Sequence, residues 1–128
     1  MYQAIWVGIG GFCGAILRYI ISGHIQNLSQ SISFPHGTLA VNVAGCFLMG
    51  LLYYLAEMRM GITAEMRLSL MIGFLGSFTT FSTFANETTN LLESHRIFIA
   101  LINVSAQIFL GISGILLGRL AGILIWRN

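Results

Sequence analysis

The chain has 128 residues, of which 56% are hydrophobic and 8% are charged, with six basic and four acidic side chains. This charge content is about a third of the usual level in globular proteins, too low to cover the surface of a soluble domain of this length. A protein surrounded by lipid needs no such surface. The net charge of +2, carried by scattered arginines, argues against a nucleic-acid partner. We therefore predict one all-α domain, residues 1–128, embedded in a membrane.

Long charge-free runs predict four transmembrane helices, over residues 4–21, 39–56, 68–92 and 97–126. Each is close to or above the about 20 residues that a helix needs to cross the hydrocarbon core. The first run lacks the basic start and the small-residue cleavage site of a signal peptide, so we expect a span there. The last run is longer than required. We expect it to tilt, with Arg119 near the interface and its guanidinium reaching water.

Two connections carry helix-start signals. Residues 22–37 contain the only proline and are expected to form a polar loop, with Pro35 opening the second helix. Residues 57–67 are expected to form a short charged turn, in which Thr63 is an N-cap and Glu65 lies in the first helical turn.

The arginines specify the orientation in the membrane only weakly. With four spans, both termini share one side. That side has four arginines and the other has two, namely Arg59, Arg67, Arg119 and Arg127 against Arg18 and Arg96. Positive residues favour the cytoplasm, so the difference favours cytoplasmic termini. The bias is small, and insertion in both orientations stays open.

Small residues at helical spacing predict where the helices touch, because they let backbones approach closely in lipid. The stripes are Gly10 with Gly14, then Asn42, Cys46 and Gly50, then Gly114, Gly118 and Gly122. Four short helices offer too little material to surround both a pore and a binding site, so we expect a homo-oligomer. Cys13 and Cys46 lack CxxC spacing and indicate neither a disulfide nor a metal site.

The segment GFLGSFTTFSTF, residues 73–84, carries five hydroxyl side chains and two glycines in the middle of a span. In a continuous helix Phe81 and Phe84 share a face, and Phe78 lies on the same side. One interpretation is a packing face whose hydroxyls bond back to the helix's own carbonyls. The other is a break at Gly76-Ser77, which together with the two β-branched threonines that follow, Thr79 and Thr80, makes a poor helix interior. A break would free carbonyls that must then be buried or coordinate a cation.

This segment is also free of charge. The edge of a phenyl ring is positive, so two phenyl edges and a nearby amide can stabilise a small anion without a fixed positive charge. Asn42, a lone amide in the second span, is the candidate donor. Proton-coupled transport is disfavoured, because the acidic residues and histidines fall at span ends or in loops. Glu87, three residues after Phe84, is the acidic residue expected nearest this face.

Three segments resemble the Fluc-type (CrcB) fluoride channels, namely GGFCGAILRY, FPHGTLAVNVAG and GFLGSFTTFSTFANE. The resemblance covers nearly the whole chain. It implies an antiparallel dual-topology homodimer with two pores and a third helix broken in mid-membrane. It also implies passive export of fluoride, with rejection of chloride, across the plasma (inner) membrane of a prokaryote, which lowers fluoride toxicity in the cytoplasm. The implied partners are fluoride, a second copy of the chain and the bilayer.

The resemblance implies pore roles for five residues. Phe81 and Phe84 match the pore phenylalanines whose ring edges meet the ion, and Asn42 matches the pore asparagine. Ser82 and Thr83 match the hydroxyl track along the third helix.

The resemblance also implies a structural sodium ion, Na+, which is not transported. Gly76 and Thr79 match the positions whose backbone carbonyls hold that ion at the dimer centre. Arg18 matches the arginine near the vestibule, and Glu87 matches the acidic residue near a pore end. The family often has Gly-Gly at the break, where this chain has Gly76-Ser77, and serine adopts a break less readily. Because carbonyls would hold the ion, this change need not abolish the site.

Other functions fit the sequence less well. A small dual-topology multidrug exporter needs a carboxylate inside its first helix, and residues 4–17 contain none. A scaffold that packs through its glycine stripes leaves Asn42 and the hydroxyls without a role. An intramembrane enzyme is disfavoured, because the chain has no Asp and no Cys–His or Ser–His pair on one helix face.

Fluoride is small and tightly hydrated, so a pore must replace its water, and neutral donors suit that task.

Overall fold

The computed structural model describes residues 2–58 and 61–126, and every regular element in these two ranges is helical. The helices are α1 (Tyr2–Ser29), α2 (His36–Glu57), α3 (residues 64–78), α4 (Phe81–Glu93) and α5 (Ile97–Trp126). α3 and α4 are the two halves of the third span, and the four spans are long and apolar enough to cross a membrane. The prediction of four spans with a broken third helix is therefore confirmed. Arg59 and Arg127, used in the orientation prediction, lie outside the described residues.

The first helix is longer than predicted. It continues to Ser29, so the loop expected over residues 22–37 shrinks to residues 30–35. At about 1.5 Å per residue, α1 exceeds the hydrocarbon thickness, and its polar last turns remain helical beyond the core. Gln26 holds the short loop. Its Nε2 donates to the carbonyls of Ser31 (2.6 Å) and Phe34 (3.1 Å), and its Oε1 accepts the Gly37 amide hydrogen at 3.1 Å.

The two predicted helix starts are confirmed. Thr63 caps α3, because its Oγ1 accepts the Met66 amide hydrogen at 3.2 Å, and Glu65 lies in the first turn. Pro35 immediately precedes α2, which begins at His36.

The third span breaks at Thr79 and Thr80, whose φ/ψ angles of −88°/155° and −150°/108° are extended. Gly76 and Ser77 both lie in the last helical turn of α3, so the predicted break at Gly76-Ser77 is corrected. The Ser77 hydroxyl lies close to neighbouring carbonyls, including that of Gly73 at 2.9 Å. The β-branched threonines that follow take the extended conformation readily. Within α3, Leu68–Leu75 is a π-helix.

Glycines allow the close helix contacts that position this break. α2 packs mainly against α5, and α1 packs mainly against α3. A Cβ atom at Gly118 would overlap the carbonyl oxygen of Phe47, and one at Gly10 would overlap the carbonyl oxygen of Ser69. Backbones therefore meet directly, as expected for small residues between helices in lipid.

Arg119 is exposed, and its guanidinium lies over the Tyr53 ring, 4.9 Å from the ring centroid. This cation–π contact ties the end of α5 to α2. The guanidinium thus has an aromatic partner, and its place at the membrane interface stays a prediction.

Candidate functional site

The break in the third span is held by the side chain of Asn42, which projects from α2. Its Oδ1 accepts the Thr80 amide hydrogen at 2.8 Å. Its Nδ2 donates to Gln107 Oε1 of α5 at 3.0 Å and lies 3.4 Å from the Thr80 carbonyl oxygen. The oxygen and the nitrogen of this amide therefore both have protein partners, and Asn42 joins α2, α5 and the break at one point.

Phe81 and Phe84 form an aromatic pair at the start of α4. Their ring centroids lie 5.4 Å apart at an interplanar angle of 65°, an edge-on arrangement. The predicted proximity of these two rings is therefore confirmed. Phe81 is 78% exposed in the single chain, whereas Phe84 is half-buried.

Phe78 does not join this pair, and the prediction that it shares their side is wrong. The extended residues at the break interrupt the helical register that the prediction assumed. Phe78 is buried and stacks on Phe74, with ring centroids 5.7 Å apart. It belongs to the packing of α3 and not to the exposed face of α4.

The five hydroxyls of this segment divide into two groups. The hydroxyls of Ser77 and Thr79 lie 2.9 Å from the carbonyl oxygens of Gly73 and Leu75, four residues back in their own helix, as the packing interpretation requires. The Ser77 hydroxyl also lies 2.8 Å from the Gly11 carbonyl oxygen of α1. Thr80, Ser82 and Thr83 instead cluster at the start of α4. Thr80 Oγ1 lies 2.9 Å from Thr83 Oγ1 and 3.4 Å from Ser82 Oγ. The packing interpretation therefore accounts for the first group of hydroxyls and not for the second.

Two adjoining cavities open beside this hydroxyl cluster. The smaller, of about 200 Å³, is lined by Arg18 and Thr80, and the larger, of about 450 Å³, is lined by Glu87. They share the lining residues Ser22, Thr38 and Thr83. Thr38 Oγ1 donates to Glu87 Oε1 at 2.6 Å, which fixes the carboxylate against α2. Arg18 and Glu87 thus line neighbouring parts of one depression.

Sequence reasoning missed two polar residues near the site. Gln107 orients Asn42, and the fully buried Asn103 donates from Nδ2 to Thr88 Oγ1 at 3.0 Å. Within the described residues, Gln107 Nε2 and Asn103 Oδ1 are buried without a hydrogen-bond partner. The signal was present in the sequence, because a lone amide in an apolar span faces protein or water. We applied that argument to Asn42 and not to the last span.

The carbonyls of Gly76 and Thr79 are suited to a cation. Their helical partners would be the amides of Thr80 and Thr83, and both amides donate to side chains instead. The carbonyls lie at the C-terminal end of α3, where the helix dipole places partial negative charge. Carbonyl oxygens are ligands for hard cations, and unwound helix ends coordinate Na+ in other membrane proteins. The donor set therefore fits a sodium ion.

Comparisons with known proteins agree with this architecture. Residues 5–119 match the family described as CrcB-like protein, Camphor Resistance (CrcB). The chain is 43% identical to "Fluoride-specific ion channel FluC 1" of Methanosarcina acetivorans, over 96% of this chain and 92% of that protein. It is 45% identical to "Fluoride-specific ion channel FluC" of Geobacter sulfurreducens, over 100% of this chain and 99% of that protein. These relatives are named as ion channels and not as enzymes. With its four apolar spans, the chain is a multi-pass membrane protein that belongs to the CrcB family.

Proposed function

We propose that this protein is a fluoride-selective channel that conducts passively through two pores of a homodimer. One observation carries the proposal, namely that neutral dipoles meet at the helix break. The contributing side chains are Asn42, Thr80, Phe81, Ser82, Thr83 and Phe84. Each of these groups interacts weakly with an anion, and together they replace hydration water while still releasing the ion. The names of the relatives support fluoride as that ion.

In the proposed pore the ion passes along the start of α4. Phe81 and Phe84 present ring edges, and Ser82 and Thr83 present hydroxyl hydrogens. Asn42 is already bonded to Thr80 and Gln107, so its contact with the ion replaces its longest bond, the 3.4 Å contact to the Thr80 carbonyl. The amide therefore exchanges one weak protein partner for the ion and keeps the others.

A second copy in antiparallel orientation completes the proposed pores. Phe81 is 78% exposed in the single chain, and Ser82 and Gly76 are exposed as well. Polar groups in mid-membrane are unfavourable against hydrocarbon, so this face needs a protein partner. A pair related by a two-fold axis would cover the same face on both copies.

The proposed sodium ion is held by the Gly76 and Thr79 carbonyls at this covered face. When bound, it supplies a fixed positive charge between the two copies. Arg18 attracts anions to the smaller cavity, and Glu87 stays bound to Thr38 at the side of the larger one. We place the channel in the inner membrane of a prokaryotic cell, where fluoride leaves the cytoplasm down its gradient and fluoride toxicity falls.

Ion efflux from liposomes tests this proposal. Purified protein reconstituted into vesicles loaded with either fluoride or chloride should release fluoride rapidly and retain chloride. Vesicles without protein give the leak rate for each ion. Equal release of both halides, or fluoride release no faster than the leak, would contradict the proposal. A dependence of release on a proton gradient would indicate a coupled carrier instead.

A further inference from the structure

We infer that Asn42 and Thr80 hold the cation site open by taking the two amide hydrogens that the Gly76 and Thr79 carbonyls would accept in an unbroken helix. The inference rests on the proposed function, because it concerns the sodium site of the proposed channel. It assigns to these two side chains a task distinct from contact with the anion.

The first of these carbonyls belongs to Gly76. The helical ladder of α3 continues as far as the Thr79 amide, which donates to the Leu75 carbonyl at 3.1 Å. The next helical hydrogen bond would join the Thr80 amide to the Gly76 carbonyl. Asn42 Oδ1 takes that amide hydrogen instead, at 2.8 Å. The Gly76 oxygen therefore keeps its lone pairs available, on a residue that is exposed in the single chain.

The second carbonyl belongs to Thr79. Its partner in a continuous helix would be the Thr83 amide, which donates to Thr80 Oγ1 at 3.3 Å. The same hydroxyl is the N-cap of α4. Thr80 therefore frees both carbonyls. Its own amide donates to Asn42 and not to the Gly76 carbonyl, and its hydroxyl accepts the Thr83 amide hydrogen that the Thr79 carbonyl would otherwise accept.

Gln107 supports the orientation of Asn42. An Asn amide can rotate by half a turn, which exchanges its oxygen and its nitrogen. In the observed orientation the oxygen faces the Thr80 amide, and the nitrogen faces Gln107 Oε1 at 3.0 Å. A rotated Asn42 would place a donor against the Thr80 amide. The Thr80 amide can only donate, so it selects the Asn42 orientation that holds the break, and Gln107 is a positioning residue that holds the Asn42 nitrogen on the other side.

The response of thermal stability to sodium tests this inference without measuring ion flux. An ion that binds only the folded protein raises its unfolding midpoint as the ion concentration passes the dissociation constant. Detergent-solubilised protein is heated over a series of Na+ concentrations, with N-methyl-D-glucamine keeping the ionic strength constant. The variants are Thr80→Val, which loses the hydroxyl, Thr80→Ser, which keeps it, and Asn42→Leu. Thr89→Val, whose exposed hydroxyl bonds within α4, is the matched control.

For the unaltered chain we expect the midpoint to rise with sodium and then saturate. Thr80→Ser and Thr89→Val should saturate at the same concentration. Thr80→Val and Asn42→Leu should require about tenfold more sodium or lose the response, because a released amide competes with the ion for a carbonyl. Gln107→Leu should also raise the sodium concentration at which the unfolding midpoint saturates. Size-exclusion chromatography of each variant in N-methyl-D-glucamine verifies that it is folded before the titration.

The outcomes separate the inference from the function on which it rests. If Thr80→Val and Asn42→Leu match the unaltered chain in their sodium response, the inference is wrong while the channel proposal stands. If the unaltered chain conducts fluoride and shows no sodium response, the sodium site and this inference both fail. If it conducts no fluoride, the proposed function fails on its own experiment.

Discussion

Single polar residues decide what the break in the third span can do. Asn42 is an unremarkable residue by type, and its importance comes from its three contacts at one point. Gln107 and Asn103 show the same logic from α5, where the two amides lie inside a mostly apolar run of 30 helical residues. In a span, a side chain that needs hydrogen bonds must face protein or water. Each such residue is therefore a candidate for the site.

The aromatic pair gives the most direct residue-level prediction. Phe81→Ile and Phe84→Ile should each lower fluoride efflux by about tenfold or more, because an aliphatic side chain has no positive edge to offer the ion. Phe109→Ile on the exposed side of α5 is the matched control, and it should conduct normally. Efflux from liposomes measures all three. Normal flux in both pore variants would contradict the phenyl-edge account.

These residues also show how far sequence reasoning extends. The proximity of Phe81 and Phe84 could be predicted because both lie in one unbroken helix, where spacing fixes relative position. The place of Phe78 could not, because two extended residues separate it from α4 and no periodicity crosses them. The partners of Asn42 lie 38 and 65 residues away in sequence, and such contacts depend on tertiary packing.

At the level of elements, glycine stripes set how closely the helices approach. Sequence spacing alone predicted them, because the requirement for small residues between helices in lipid is general. The position of the break was less predictable. Gly76-Ser77 is the weaker helix former by propensity, yet it stays helical, and the chain opens at Thr79-Thr80, where Asn42 takes the Thr80 amide hydrogen and Thr80 caps α4. Capping and tertiary contacts therefore outweighed propensity.

The contact between α2 and α5 is open to a matched test. Gly118→Ala places a methyl group against the Phe47 carbonyl oxygen and should lower the free energy of unfolding by about 1–3 kcal/mol. In Gly111→Ala on the same helix, the new methyl group meets only Cys46 Sγ, at 3.6 Å. This variant should change the free energy of unfolding by less than about 1 kcal/mol. Denaturation in mixed micelles measures both. Equal effects would show that this close approach does not set the stability.

At the scale of the whole molecule, the charges bear on the direction in which the chain is inserted in the membrane. The arginines differ little between the two ends, and two of those counted lie outside the described residues. The resemblance to dual-topology proteins supplies the expectation of an antiparallel pair, and the exposed face of α4 is the surface that such a pair would cover.

A reporter cysteine tests the orientation directly. Ile32→Cys, at a position 99% exposed in the α1–α2 loop, is introduced after Cys13→Ala and Cys46→Ala remove the native thiols. In cells, a membrane-impermeant maleimide should label about half of the protein, and permeabilisation should expose the rest, because the charge bias is weak. Adding arginines to that loop should push the labelled fraction toward zero. Complete labelling, or none, in the unmodified charge background would contradict dual topology.

The exposure of Gly76 and Ser82 also affects how the protein is made. A newly inserted copy that is still alone presents these two polar residues to the acyl chains, which offer no hydrogen-bonding group of their own. Association with a second copy soon after synthesis would cover these groups and stabilise the chain. Solitary copies should therefore be the short-lived ones, and the rate of encounter within the bilayer would govern how much working protein a cell accumulates.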